Sequence, residues 1–299
     1  MVDDFILLTG TSNLDLAKQV GEILKKTVHE TVTRFADGEA RVIIPENIRR
    51  KKVFIIQSTC PPVDGNLMEL FLMIDAARRA SASEIIAVIP YFGYSRQDRH
   101  EKSGTPVSSS LIANFIEHAG ASKIITLDIH SKIKGVKIPI IDLSANSIFV
   151  EILESQIKDT KNLVVVSPDK GGVLRAASFA KLLNVQKIAI VYKMRDIQKE
   201  NISRAIKLEG EVTGKDILIV DDMIDTGGTI LGALELLQKS GAKSISALVT
   251  HGLFSGSAME KIQRSVVKEI LVTDTVPQIP NKKIQVVSVA KLLADEILE

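Results

Sequence analysis

The sequence predicts an α/β protein of two similar domains, each a mostly parallel sheet flanked by helices. Three observations predict it. Apolar runs of strand length alternate along the chain with segments whose apolar residues recur at helical spacing, the pattern of strand–helix–strand units. The pattern also repeats itself: Val53-Phe-Ile-Ile-Gln-Ser58 and Ile217-Leu-Ile-Val-Asp-Asp222 each run into a polar turn and a long helix. After those helices, Ser81-Ala-Ser-Glu-Ile-Ile-Ala-Val-Ile89 is echoed by Gly241-Ala-Lys-Ser-Ile-Ser-Ala-Leu-Val249. Finally, 299 residues suffice for two ordinary domains, expected at 1–144 and 145–299.

In the first half, apolar runs predict strands at 5–9, 53–57, 85–90 and 124–127. Helical spacing predicts helices at 14–24, 67–80 and 108–119. Between them, Arg34-Phe-Ala-Asp-Gly-Glu-Ala-Arg-Val42 reads as a hairpin on an Asp-Gly turn, its second strand reaching Ile44. In the second half, strands are expected at 163–167, 188–193, 217–221, 245–250, 270–273 and 284–287. Helices are expected at 145–156, 173–183, 229–239 and 289–297.

Composition narrows the class. Hydrophobic residues make up 45% and charged residues 25%, the mix of a globular protein. A formal net charge of +2 with no basic run argues against a polyanion partner. One cysteine, Cys60, excludes an internal disulfide and fits a reducing compartment. The acidic start Met1-Val-Asp-Asp is unlike a secretory leader, and no run approaches the roughly 20 apolar residues of a membrane span. The expected location is the cytosol.

Chemistry concentrates where Ile219-Val-Asp-Asp-Met-Ile-Asp-Thr-Gly-Gly-Thr229 leaves its strand. The carboxyl edge of a parallel sheet is where such folds bind ligands. Backbone amides from Thr226 through Gly227, Gly228 and Thr229, at a helix N-terminus, suit a phosphate. Asp221, Asp222 and Asp225 repel a phosphate but suit neighbouring sugar hydroxyls, so the segment describes a phosphorylated sugar. The plainer alternative is a strand end followed by a glycine helix start. A second strand–turn–helix, Ser167-Pro-Asp-Lys-Gly-Gly-Val173, adds Lys170 and Gly171 beside phosphate oxygens and Asp169 as a ligand for a bridging magnesium ion. No nucleotide-binding Walker loop is present: Gly210-Glu-Val-Thr-Gly-Lys-Asp216 has the wrong spacing and precedes its strand.

Pro90-Tyr-Phe-Gly-Tyr-Ser-Arg-Gln-Asp-Arg99 packs three rings and two arginines into ten residues, suited to stacking on a base or clamping phosphate. Its alternative is rings packed beneath a solvated loop. Asp128 and His130, two apart at a strand end, are expected on one face, where they can share a metal or orient a phosphate; the plainer alternative is a structural histidine. Lys193 and Arg195 close a strand before the polar stretch 196–204, either as solvated cations or as part of a lid closing on a phosphoryl group.

Taken in order, RFADGE at 34–39, FIIQST at 54–59, NLMEL at 66–70, PYFGYSRQDR at 90–99, LDIH at 127–130, VVSPDKGG at 165–172 and VDDMIDTGGT at 220–229 resemble the ribose-phosphate pyrophosphokinase family over essentially the whole chain. The resemblance implies two phosphoribosyltransferase-type domains, the first on the ATP side and the second on the ribose 5-phosphate side. It implies transfer of the β,γ-pyrophosphate of Mg-ATP to the 1-hydroxyl of ribose 5-phosphate, giving PRPP and AMP. On it, Phe35, Asp37 and Glu39 contact adenine across a subunit interface in a homo-oligomer, with Arg96, Gln97 and Arg99 as further ATP contacts. His130 and Asp169 become Mg2+ ligands. Lys193, Arg195 and His130 carry the catalytic roles, and the 169–171 and 221–229 groups hold ribose 5-phosphate. A phosphoribosyltransferase that consumes PRPP needs the 219–229 loop equally; the elements at 34–39 and 90–99 separate the two readings.

Overall fold

The structure, a computed structural model, describes residues 5–44, 47–100, 102–157, 160–195 and 203–299, with backbone alone at 193–195 and 203–206. The chain divides into two units, residues 1–144 with 275–277 and 288–299, and residues 145–274 with 278–287. None of the described helices is long and apolar enough to cross a membrane.

Unit 1 runs β1 (Phe5–Thr9), α1 (Leu14–Leu24), β2 (Val28–Glu30), the hairpin strands β3 (Val32–Arg34) and β4 (Ala40–Val42), β5 (Lys52–Ile56), α2 (Val63–Arg79), β6 (Glu84–Ile89), α3 (Ser108–Ala119), β7 (Lys123–Leu127) and β8 (Ile140–Leu143). Its six-stranded sheet has the order β2-β1-β5-β6-β7-β8, parallel throughout. Such strands are covered on both faces, which is why β5 and β6 are uninterrupted apolar runs. On one face Ile55, Ile89 and Ile124 pack against Leu70, Met73, Ile74 and Ala77 of α2 and Ala113 and Ile116 of α3.

Unit 2 runs α4 (Asn146–Gln156), β9 (Leu163–Ser167), α5 (Val173–Leu182), β10 (Ile188–Arg195), β11 (Ser203–Glu209), β12 (Asp216–Ile224), α6 (Gly228–Lys239), β13 (Ser244–Gly252), α7 (Ala258–Arg264), β14 (Ile270–Thr273) and β15 (Ile284–Val287). Its sheet order is β11-β10-β9-β12-β13-β14-β15. Without the antiparallel edge strand β11, this is the order of unit 1. Ile219, Val249 and Ile270 pack under Ile230, Ala233, Leu234 and Leu237 of α6. On a second core Phe149 of α4 and Phe179 of α5 cover Val165, Val220 and Leu248.

Several elements depart from the sequence pattern. The last helix, α8 (Ala290–Leu298), belongs to unit 1 rather than to a contiguous second domain of 145–299. It lies against α1, with Ser288 Oγ donating to Gln19 Oε1 at 2.6 Å. Periodicity identifies an amphipathic helix but not the face it will cover. Strands β2, β8 and β11 and helix α7 are too short or too polar to stand out as apolar runs. Strand β4 ends at Val42, short of Ile44. Strand β12 continues through Asp221 and Asp222 to Ile224 because β13 stays beside it, pairing Met223 with His251 and Ile224 with Gly252. Asp222 is therefore a strand residue like Asp221, where the expected strand stopped.

Candidate active site

In both sheets the strand order reverses at one point, between β1 and β5 in unit 1 and between β9 and β12 in unit 2. Chain connections leave such a pair in opposite directions, so a crevice opens beyond its carboxyl ends. In unit 2 the pairing of β9 with β12 stops at Val166 and Ile219. Strand β12 runs on past that point, which leaves Asp221 and Asp222 at the crevice.

Both carboxylates are buried, Asp221 at 9% exposure and Asp222 at 3%. The guanidinium of Arg175, in the first turn of α5, spans them, Nη1 lying 3.6 Å from Asp221 Oδ1 and Nη2 3.5 Å from Asp222 Oδ2. The Asp222 amide donates to Asp221 Oδ1 at 3.0 Å. Burial above all, then the charge of Asp222, pushes the Asp221 carboxyl well above the usual carboxylate range, and Arg175 opposes the shift. Asp169 adds a third negative charge to this neighbourhood. Its Oδ1 is fixed by the amides of Gly171 at 3.0 Å and Gly172 at 3.2 Å.

Two helices begin at this crevice, each at a glycine. Helix α5 starts after Gly172 and α6 after Gly227, glycines with no side chain of their own to cap the helix, and Asp169 already takes the Gly171 and Gly172 amides ahead of α5. Gly227 has φ 78°, a left-handed conformation that a Cβ disfavours. It turns the chain so that the first amides of α6 lead out of the crevice, a site for an anion. Two such ends around a buried acid pair suit a sugar with a phosphate group at either end. The donors here are carboxylate oxygens, the set a hard cation such as Mg2+ takes, and a divalent ion would relieve the crowding of like charge. Among the described residues no three His, Cys, Asp or Glu side chains converge into a cage for a metal.

The matching crevice of unit 1 is filled by the protein itself. Fully buried Glu69, on α2, accepts from Thr11 N at 3.0 Å, Thr11 Oγ1 at 2.9 Å and Gln57 Nε2 at 3.0 Å, and pairs with Arg34. Gln57 Oε1 accepts from Ser12 Oγ at 2.9 Å. The packing is close enough that a Cβ on Gly10 would lie 2.6 Å from Gln57 Oε1. The N-terminus of α1 is capped by its own Asn13 side chain.

The remaining predicted residues fall elsewhere. Phe35, Asp37 and Glu39 share the β3–β4 turn, where the Phe35 amide donates to Glu39 O at 2.9 Å and the Glu39 amide to Asp37 Oδ1 at 3.1 Å. Phe35 is 52% exposed, with the Arg41 guanidinium 5.6 Å from its ring centre. In 90–99 two of the three rings are core, Tyr91 and Phe92 being buried, while Arg96, Gln97 and Arg99 are exposed. Gln97 is held by Ser108 Oγ, which donates to its Oε1 at 2.6 Å. Asp128 and His130 do not sit at strand spacing. Strand β7 ends at Leu127 and Asp128 has φ 35°, so strand alternation no longer governs them. His130 is exposed and belongs to unit 1, Asp169 to unit 2. The side chains of Lys193 and Arg195, and residues 196–202 of the expected lid, lie outside the described residues.

Sequence reasoning missed Arg175 and Glu69. The first lies just beyond the glycine turn, outside the quoted motif. The second has a visible signal, an acid within the buried stripe Asn66, Leu67, Glu69, Leu70, Met73 of α2.

This architecture, a doubled parallel sheet with an acid-lined, phosphate-ready crevice in one copy, defines the phosphoribosyltransferase-type class. Comparisons with known proteins narrow it. The family described as the N-terminal domain of ribose phosphate pyrophosphokinase matches residues 5–120, and the phosphoribosyl synthetase-associated domain matches 193–299. Ribose-phosphate pyrophosphokinase of Pasteurella multocida is 43% identical over 98% of this chain and 95% of its own. That of Campylobacter jejuni is 44% identical, over 97% and 94%. The crystal structure of phosphoribosylpyrophosphate synthetase from Mycobacterium smegmatis superposes with a TM-score of 0.90 at 35% identity, covering 99% of this chain and 98% of that one. The chain belongs to the ribose-phosphate pyrophosphokinase family.

Proposed function

We propose that the chain transfers the β,γ-pyrophosphate of Mg-ATP to the 1-hydroxyl of ribose 5-phosphate, releasing AMP and PRPP for nucleotide biosynthesis. The observation that carries this is the unit 2 crevice, two helices starting at glycines around the buried Asp221–Asp222 pair, in a chain related to pyrophosphokinases along nearly its whole length. In this reading the amides at Thr226, Gly227, Gly228 and Thr229 take the 5-phosphate. Asp221, Asp222 and Asp225 accept hydrogen bonds from the ribose hydroxyls, and Lys170 and Gly171 meet the incoming pyrophosphate. The sugar oxygen bonds to the β-phosphorus, the bridging oxygen leaves with AMP, and the hydroxyl proton is released. Such chemistry depends on in-line placement and neutralised oxygens rather than on a covalent nucleophile.

Mg2+, when bound, would supply charge neutralisation at the phosphate oxygens, and Asp169 and His130 are the residues that would hold it. Lys193 and Arg195 stabilise charge gathering on the transferred group. Phe35, Asp37 and Glu39 of one copy and Arg96, Gln97 and Arg99 of another hold ATP, so the active form is a homo-oligomer, at least a dimer, working in the cytoplasm. Purified chain with Mg-ATP and ribose 5-phosphate should yield AMP one-for-one with PRPP by anion-exchange chromatography, and Lys193→Ala should abolish both. ADP in place of AMP would mean γ-phosphoryl transfer and end this reading.

A further inference from the structure

The segment Asn66-Leu-Met-Glu-Leu70 has no part in the scheme above, yet its acid accepts from Thr11, Gln57 and Arg34 at once. Glu69 has no exposed surface. Around it converge donors from the β1–α1 turn (Thr11), the end of β5 (Gln57) and the hairpin (Arg34). Arg34 is the last residue of β3, immediately before Phe35, and its Nη1 also donates to Gly38 O at 3.0 Å. The guanidinium thus ties the turn carrying Phe35, Asp37 and Glu39 to a buried carboxylate. We propose that Glu69 is a positioning residue for the nucleotide: through Arg34 it holds the β3–β4 turn in the geometry that receives the adenine. The inference rests on the reading of that turn as the adenine contact.

The chemistry demands glutamate. All the groups facing Glu69 donate, and a carboxylate only accepts. Glutamine presents an NH2 to at least one of those donors, and aspartate lacks the length to reach Arg34. A two-stranded hairpin is marginal by itself, so its position depends on such an anchor. A charge-assisted bond to a buried carboxylate is also among the stronger single contacts.

The test uses the full-length chain with Glu69→Gln, and with Arg34→Met as the variant whose altered end is half-exposed should the first not fold. With ribose 5-phosphate and Mg-ATP, the KM for ATP should rise about tenfold while the KM for ribose 5-phosphate and kcat stay within about twofold, the mark of lost binding rather than lost chemistry. In the nucleotide-free chain, amide exchange over 32–42 should speed up by roughly tenfold relative to β1 and β5. The double variant should be no worse than either single one. A purely structural glutamate would lower thermal stability and leave the ratio of the two KM values unchanged, and that result overturns the proposal. So does unchanged exchange over 32–42. Should the wild-type chain make no AMP, the activity reading fails separately, since the exchange measurement needs no turnover.

Discussion

The two units have one strand order and two different crevices. In unit 2 the carboxyl ends of β9 and β12 carry Asp221, Asp222 and Asp169, with two helices that start at glycines. In unit 1 the corresponding ends of β1 and β5 carry Thr11, Ser12 and Gln57 bound around Glu69, and Asn13 caps the helix that follows. The sheet fixes where a ligand can sit; the side chains decide whether one does. A crevice whose polar groups satisfy one another gives a ligand little to bind, whereas buried like charges beside glycine-led helix starts leave more for a ligand or cation to satisfy.

The largest expected contrast is in activity. Asp222→Asn should lower kcat/KM for ribose 5-phosphate by about 10²- to 10³-fold, while Ser58→Ala at the matching place in unit 1 should stay within about twofold. Equal losses in steady-state assays would erase the functional asymmetry. Next comes stability. Gln57→Asp copies the unit 2 acid into unit 1, where it would face buried Glu69 in place of a donor. Denaturant unfolding should show a loss of about 3 kcal/mol, and a variant as stable as wild type would mean the unit 1 crevice is not closed as described. A smaller effect is expected for Gly227→Ala. The left-handed backbone there should cost about 1 kcal/mol in chemical denaturation and raise the KM for ribose 5-phosphate severalfold.

The smallest effect is in pH dependence. The folded chain holds the Asp221 proton more tightly than the unfolded chain does, because burial and Asp222 raise its pKa. That contribution to stability is complete below the ordinary aspartate range and is lost as pH rises through the raised value. The thermal midpoint of the ligand-free protein should therefore fall across this interval more steeply than that of Asp221→Asn. Parallel curves for the two would remove Asp221 as the origin of the dependence. Unit 1 has no counterpart, since Gln57 does not titrate.

The amino-acid sequence alone determined the α/β class, the doubling, most of the strands and helices, and the composition of the 219–229 segment. These follow from local spacing: buried parallel strands must be apolar throughout, and glycines and acids must cluster where the backbone turns toward an anion. It also placed a hairpin at 34–42, because an Asp-Gly turn between strands is a local signal. Tertiary structure decided the rest. That the strand runs on past Asp221 to take in Asp222 follows from the length of β13 beside it. That Arg175 reaches both of them depends on where α5 settles against β12, and that α8 returns to unit 1 depends on which face was left to cover. The plug around Glu69 joins residues 11, 34, 57 and 69, which meet only when β1, β5, the hairpin and α2 have packed. Periodicity records which way a residue faces along its own element. It holds no record of which distant element arrives to meet it, because that is settled by long-range packing.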